Sequence, residues 1–251
     1  ILFLLFSCSK KESAINIKPD DGEKSFEIYN EAIKALEEGQ YYYASNKFLE
    51  AETILPKVEL SAKASLMSSY CLYLINFYDE SEEGLKRFIK KYPGDKNVAY
   101  AYYLLVIVSY EQILDESKDI TPLLTSKTKI KDFLKKYPDT EYALDLKFKL
   151  DLINNQLAAK ELYVAKYYIE AKKWIPAINR LKIVIKDYDE TIFIEEALHR
   201  LVEVYYMVGL EEEAKTVAAL LGYNYNSSEW YQQSYKLLNK DYKIPKKKII
   251  K

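Results

Sequence analysis

One spacing pattern occurs five times along the chain and restricts its fold more than any other feature. The segment from Gly39 reads Gly39-x-Tyr41-x-x-Ala44-x-x-x-Phe48-x-x-Ala51-x-x-x-x-Pro56, which marks offsets 2, 5, 9, 12 and 17. The frame recurs from Asn76 (Tyr78, Ser81, Leu85, Phe88, Pro93) and from Thr121 (Leu123, Ser126, Ile130, Phe133, Pro138). It recurs again from Lys172 (Trp174, Ala177, Leu181, Val184, Asp189) and from Gly209 (Glu211, Ala214, Ala218, Leu221, Asn226). Gly or Asn at the start tolerates the left-handed conformation that ends a preceding helix. An aromatic side chain wedges the corner, and a small residue at offset 5 lets two antiparallel helices approach closely. Offsets 9 and 12 keep that face apolar, and Pro at offset 17 cannot continue the helix. Another helical pattern precedes each frame, as in Phe26, Tyr29, Ile33 and Leu36 or Leu66, Tyr70, Tyr73 and Leu74. Each unit therefore reads as a helix hairpin.

These units resemble tetratricopeptide (TPR) repeats of 34 residues, although Pro56 to Pro93 and Pro93 to Pro138 are 37 and 45 residues apart. The surplus falls at Asp115-Glu116-Ser117-Lys118-Asp119, which reads as an inter-helix loop. Tyr142 to Lys172 reads as one long helical pattern with a bend near Asn154-Asn155. The expected fold is all-α, a right-handed α-solenoid of about five TPR-like hairpins with a concave inner surface. The competing architecture is a non-repeat helical bundle.

Composition supports helices. Gly and Pro together make 13 of 251 residues, about 5% against the usual ~12%, too few for the tight turns of a sandwich or barrel. With 37 basic and 38 acidic residues the net charge is −1, so the basic field of a general nucleic-acid binder is missing. The single histidine, His199, excludes HExxH and any zinc site with two imidazoles. No GxGxxG or GxxxxGK[ST] loop occurs to cradle phosphates. A carboxylate-pair enzyme cannot be selected among so many acids, and the sequence points to no catalytic residue, metal or cofactor.

The chain opens with Ile1-Leu2-Phe3-Leu4-Leu5-Phe6 and then Ser7-Cys8-Ser9. Six apolar residues fall far short of the ~20 that span a bilayer, and the run reads as the end of a secretory apolar region. Leu5-Phe6-Ser7-Cys8 resembles a bacterial lipobox. That resemblance implies that Cys8 becomes the mature amino terminus and carries several acyl chains, enough for stable anchoring. The alternative is an ordinary signal peptide. Residues 8–24 then form a polar tether, and Cys71, inside a helical pattern, is a small buried hydrophobe.

Longer strings carry a family resemblance. They include Tyr92-Pro93 with Asn97-Val98-Ala99-Tyr100-Ala101, Lys136-Tyr137-Pro138 with Glu141-Tyr142-Ala143, and the run from Leu157 through Tyr167-Tyr168 to Trp174 and Arg180. With the lipobox, these strings resemble the BamD family of outer-membrane-protein assembly lipoproteins over residues 1 to 230. Ile175-Pro176 and Asp119-Ile120-Thr121-Pro122 depart from the family pattern. The resemblance implies a non-enzymatic scaffold on the periplasmic face of the outer membrane, lipid-anchored there. It implies partners: the periplasmic domains of BamA, other lipoproteins of the complex, and unfolded outer-membrane-protein clients. The expected organisation is a signal remnant (1–7), the lipidated tether (8–24), client-binding repeats (25–140), BamA-facing repeats (141–230) and a basic tail (231–251).

The resemblance puts the BamA contact around Trp174, Asn179, Arg180, His199 and Arg200. Arg180 suits a two-pronged pair with a partner carboxylate; an intramolecular pair between neighbouring helices is the other reading. His199 reads as a surface or interface histidine. The client groove is expected at Lys63, Tyr70, Tyr73, Tyr103 and Tyr110, because tyrosine offers amphipathic area at low entropic cost. Most of the 25 tyrosines are nevertheless expected to pack between repeats. The tail around Lys246-Lys247-Lys248 and Lys251 reads as solvated, with contact to anionic groups on a membrane or partner as the alternative. A repeat lipoprotein of pilus, secretin or cell-wall assembly would share all these fold features.

Overall fold

The computed structural model describes residues 19–113 and 120–239, among which there are eleven α-helices. Cys8, the polar stretch at 115–119 and the lysines of the tail lie outside the described residues. The helices run α1 (Pro19–Glu37), α2 (Tyr41–Ile54), α3 (Val58–Leu74), α4 (Tyr78–Lys91), α5 (Val98–Glu111) and α6 (Thr121–Lys136). They continue as α7 (Glu141–Glu170), α8 (Trp174–Asp187), α9 (Ile194–Met207), α10 (Glu211–Asn224) and α11 (Glu229–Leu238).

The corners of four hairpins share one backbone device. Gly39, Asn76, Lys172 and Gly209, the first residues of four frames, have φ of 77°, 62°, 55° and 80°. At each, the N–H of the corner residue donates to the carbonyl three residues back, and the next N–H reaches five back. Gly39 bonds Leu36 at 3.1 Å and Gln40 bonds Ala35 at 2.8 Å; Lys172 bonds Ile169 at 2.9 Å and Lys173 bonds Tyr168 at 2.8 Å. This pair of bonds satisfies carbonyls that the helix end would leave bare and reverses the chain into the next helix. The third frame differs, because Thr121 is already helical, with Pro122 in the first turn, where its missing N–H costs nothing.

The frame's inner positions behave alike. All fifteen residues at offsets 5, 9 and 12 are 5% exposed or less. Each fully buried Leu, Ile or Phe contributes about 1.5–3 kcal/mol. Where offset 5 is serine, its hydroxyl also donates across the hairpin, Ser81 Oγ to the Ser69 carbonyl at 2.9 Å and Ser126 Oγ to the Ser109 carbonyl at 3.0 Å. Every second helix ends at offset 16, whose N–H bonds the carbonyl of offset 12. Tyr92, Tyr137, Tyr188 and Tyr225 occupy that position in four frames. Tyr92 ties two hairpins together: its hydroxyl and Lys91 Nζ both donate to the buried Glu52 Oε1, at 2.9 and 2.8 Å.

The chain divides into two compact units, Ile1–Val108 and Ser109–Lys251. In the first, α1 packs on α2, α2 on α3 and α3 on α4. In the second, α6 packs on α7, α7 on α8, α8 on α9, and α9 on α10 and α11. The division therefore falls inside α5 rather than at 140/141, because α6 packs on α7 and its Ser126 holds Ser109 of α5. Two further boundaries shift: α1 begins at Pro19, inside the stretch read as tether, and α11 extends to Leu238, inside the stretch read as tail.

α7 continues unbroken through Asn154-Asn155. Its apolar face passes straight through this point with Ile153, Leu157 and Ala158 buried. Asn155 bonds within the helix, Nδ2 to the Asp151 carbonyl at 2.8 Å, and its Oδ1 accepts the Ile192 N–H at 3.2 Å. The asparagine fastens the α8–α9 loop instead of breaking the helix.

Lys172 carries a Cβ in a conformation that costs an L-residue about 1–2 kcal/mol. We expect Lys172→Gly to raise the unfolding free energy by about 1 kcal/mol, and Gly209→Ala to lower it by a similar amount. Urea unfolding followed by circular dichroism reads both; equal stability of all three proteins would disprove the strain.

Candidate partner-binding surface

The expected contact residues lie on two helices of the second unit, α8 and α9. Trp174 opens α8 and is half-buried against the core formed by Leu162, Leu181, Val184 and Leu201. Asn179 is exposed on the same helix. Arg180 Nη1 donates to both carboxylate oxygens of Glu161 on α7, at 3.2 and 2.9 Å. The intramolecular reading of this arginine is therefore realised. Its side chain keeps 41% exposure, and the Nη2 and Nε hydrogens stay outside this pair. Hydrogen bonding to the Glu161 carboxylate holds the guanidinium above its usual range.

Arg200 on α9 sits in a second cluster. Its Nη1 donates to Glu203 at 2.8 Å, its Nε lies 3.4 Å from Glu196, and its guanidinium stands 5.5 Å from the Trp230 ring centroid. Glu196 also pairs with Lys166 of α7 at 2.7 Å. Acid and base thus alternate across α7, α8 and α9. Single exposed pairs contribute only ~0.2–1 kcal/mol, so their main effect here is to fix side-chain directions.

His199 does not belong to that surface. It is 3% exposed, because α11 lies over it. Its Nδ1 is 2.8 Å from Ser234 Oγ, its Nε2 is 3.4 Å from Glu203 Oε1, and its ring stands 5.2 Å from that of Trp230. A carboxylate only accepts, so Nε2 carries a proton toward Glu203; in the neutral ring Nδ1 then accepts from the serine hydroxyl. Burial alone would raise the Glu203 carboxyl, but the bonds from His199 and Arg200 outweigh it and hold the group below the usual carboxylate range. The charged string Glu195-Glu196-Ala197-Leu198-His199-Arg200 suggested an exposed ring; the partner that buries it lies 35 residues away.

The expected client groove is brought together only in part. Lys63 is exposed and Tyr70 and Tyr73 are half-buried on α3, with their rings 6.2 Å apart, and Tyr73 continues to Tyr78 at 6.3 Å. Tyr103 on α5 contacts Tyr100 at 6.1 Å. Tyr110 belongs to the second unit and lies under Lys149 Nζ, 5.1 Å from its ring centroid. The reading missed a cleft of about 280 Å3 between α2, α3 and α4. Tyr42 and Phe77, edge to face at 6.0 Å, form its rim, and Ser45, Ser68 and Gly84 contribute to its lining. The run of tyrosines after Gln40 and the serines of α3 were the available signals.

Among the described residues, no group of three His, Cys, Asp or Glu is placed to hold a metal ion, and no helix is long and apolar enough to cross a membrane. Burial pushes the Cys71 thiol up to about 12, so it stays protonated at neutral pH.

The surface thus belongs to a stack of helix hairpins. The YfiO family, outer membrane lipoprotein, matches residues 21–220. A protein of Rickettsia prowazekii named outer membrane protein assembly factor BamD is 39% identical over 211 residues, covering 84% of each chain. A Caulobacter vibrioides protein of the same name is also 39% identical, covering 84% of this chain and 70% of its own. The solved structure of a thermophilic TPR protein from Thermus thermophilus aligns with a TM-score of 0.37 at 16% identity, over 85% of this chain and 98% of that one. The chain belongs to the YfiO outer membrane lipoprotein family, in which the BamD resemblance of its sequence is realised.

Removing the His199 ring deletes two polar contacts and a ring contact under α11. We expect His199→Ala to cost about 2 kcal/mol and to raise hydrogen exchange in α11 before the rest of the unit. Unchanged α11 protection, read by mass spectrometry, would show that the histidine does not hold this helix.

Proposed function

We propose that the chain is a lipid-anchored, non-enzymatic scaffold that helps assemble outer-membrane proteins from the periplasmic face of the outer membrane. The observation that carries this reading is the 39% identity, spanning 84% of both chains, to a relative named as an assembly factor. A BamA-like protein is the partner, docking its periplasmic domains against the α7–α9 face of the second unit. Other lipoproteins join the same complex.

Trp174, Asn179, Arg180 and Arg200 make this contact, while His199 supports it from inside the fold. Glu161 holds Arg180 extended before the partner arrives, so little rotamer entropy is lost on docking. The free edge of the guanidinium then accepts a partner carboxylate with parallel hydrogen bonds. Unfolded clients bind weakly at many points along the tyrosine-bearing helices of the first unit, around Lys63, Tyr70, Tyr73 and Tyr103. Tyr110, in the second unit, is a separate client contact. Capture orders the client and so costs it entropy, which keeps each contact modest. No bond is made or broken.

Affinity capture from detergent-solubilised outer membrane tests the reading. The expected major partner is a large barrel protein with repeated periplasmic domains; a secretin or pilus component in its place would overturn the assignment. Arg180→Glu should cut capture about tenfold or more, the effect of losing ~1.4 kcal/mol, without change in helical content. Capture at the normal level by this folded variant removes Arg180 from the interface.

Anchoring rests on Cys8. Cys8→Ala should leave a soluble periplasmic protein or an uncleaved precursor. A processed variant that still fractionates with membranes excludes acylation at this position.

A further inference from the structure

A groove of about 430 Å3 runs between α10 and α11, lined by Ala218, Ala219, Gly222, Tyr231, Tyr235 and Leu238. It falls within the ~300–1,000 Å3 of pockets that enclose small ligands. Small residues shape it on one side: a Cβ added at Gly222 would stand 2.5 Å from the Tyr231 ring, so this glycine lets α11 lie close to α10. Tyr223 at its edge is 88% exposed and neighbouring Leu220 is 45% exposed. The floor is apolar, and nothing in the docking surface described above covers it.

Two features specify an occupant. The first is where the described chain ends. Asn239 itself lines the groove, so the next residue in the chain is covalently joined to its lining. Segment 240–245, Lys-Asp-Tyr-Lys-Ile-Pro, spans up to ~20 Å when extended, close to the ~21 Å length of a 14-residue helix such as α10. Its apolar residues Tyr242 and Ile244 alternate with polar ones, and Ile249-Ile250 follow the lysines.

The second feature is charge. Segment 240–251 holds six lysines and one aspartate, a net side-chain charge of +5. The first turn of α10 presents Glu211, Glu212 and Glu213, and Lys215, 2.7 Å from Glu212, offsets only one of them. Lys215 lines the same groove as Asn239, which sets the acidic turn beside the point where the lysine-rich segment departs.

We propose that the α10–α11 groove is a docking surface for the chain's own segment 240–251. Tyr242 and Ile244 cover the apolar floor, and the lysines face the glutamates of α10. Tethering at Asn239 makes the contact intramolecular, so a weak intrinsic affinity suffices to keep it closed.

Limited trypsin digestion of the full chain, with cleavage after Lys243 and Lys246–Lys248 followed by mass spectrometry, tests this. The expected result is cleavage about tenfold slower than in a synthetic peptide of residues 240–251, a protection equivalent to ~1.4 kcal/mol. Ala219→Trp, which fills the groove from an exposed helix position, should restore the peptide's rate while melting like the parent. Glu211→Gln combined with Glu213→Gln should restore it in part. Cleavage of the parent at the peptide's rate overturns the proposal, as does protection that survives Ala219→Trp. Protection that grows with protein concentration also overturns it, since it would place the segment in the groove of a second copy.

Discussion

The positive-φ corner is the constraint on which the rest of this architecture depends. α5 and α6 keep their buried line across a longer connection, but in the other four hairpins the chain reverses in three residues and the second helix starts in a fixed register. Gly39, Asn76, Lys172 and Gly209 achieve both with one pair of backbone hydrogen bonds. Once the register is set, offset 5 always meets the preceding helix. A small side chain there allows close approach, and Ser81 and Ser126 use that proximity to bond the opposing backbone. Offsets 9 and 12 then fall on the same buried line without further specification.

This explains which parts of the fold were legible in the sequence. Corner conformation, small-residue contact and helix stop are all local demands, and each leaves a residue type at a fixed offset. Features set by distant contacts left no such mark. Asn154-Asn155 read as a bend because asparagine favours turns, and nothing local shows that Asn155 holds Ile192, 37 residues later. The burial of His199 depends on Ser234 and Trp230 of a helix whose sequence is short and polar. The division of the chain inside α5 depends on what α6 packs against, which the Val98–Glu111 string, apolar on all sides, does not disclose.

The candidate surface was legible at the level of residue types but not of partners. Trp174 and Arg180 lie on α8 and Arg200 on α9, which packs against α8. The sequence could not tell an outward-facing arginine from one bound within the fold, because Glu161 and Arg180 are joined only when α7 and α8 pair. The tyrosines were less legible still: the same residue caps helices at offset 16 and lines surfaces elsewhere, and only burial separates the two uses.

The ion pairs of the second unit bear on how such a surface selects a partner. Glu161, Glu196 and Glu203 each hold a cation in place, so the face is prearranged rather than loosely charged. A carboxylate arriving along the free edge of Arg180 gains a guanidinium whose orientation is already fixed. One arriving from the other side meets Glu161 and is repelled. In the proposed contact, the same pairs that contribute little to stability set the direction of approach for an acidic partner, giving specificity through repulsion as well as attraction. On the proposed scaffold reading, discrimination of this kind comes from charges that neighbouring helices hold in fixed pairs, Glu161 with Arg180 and Glu196 with Lys166.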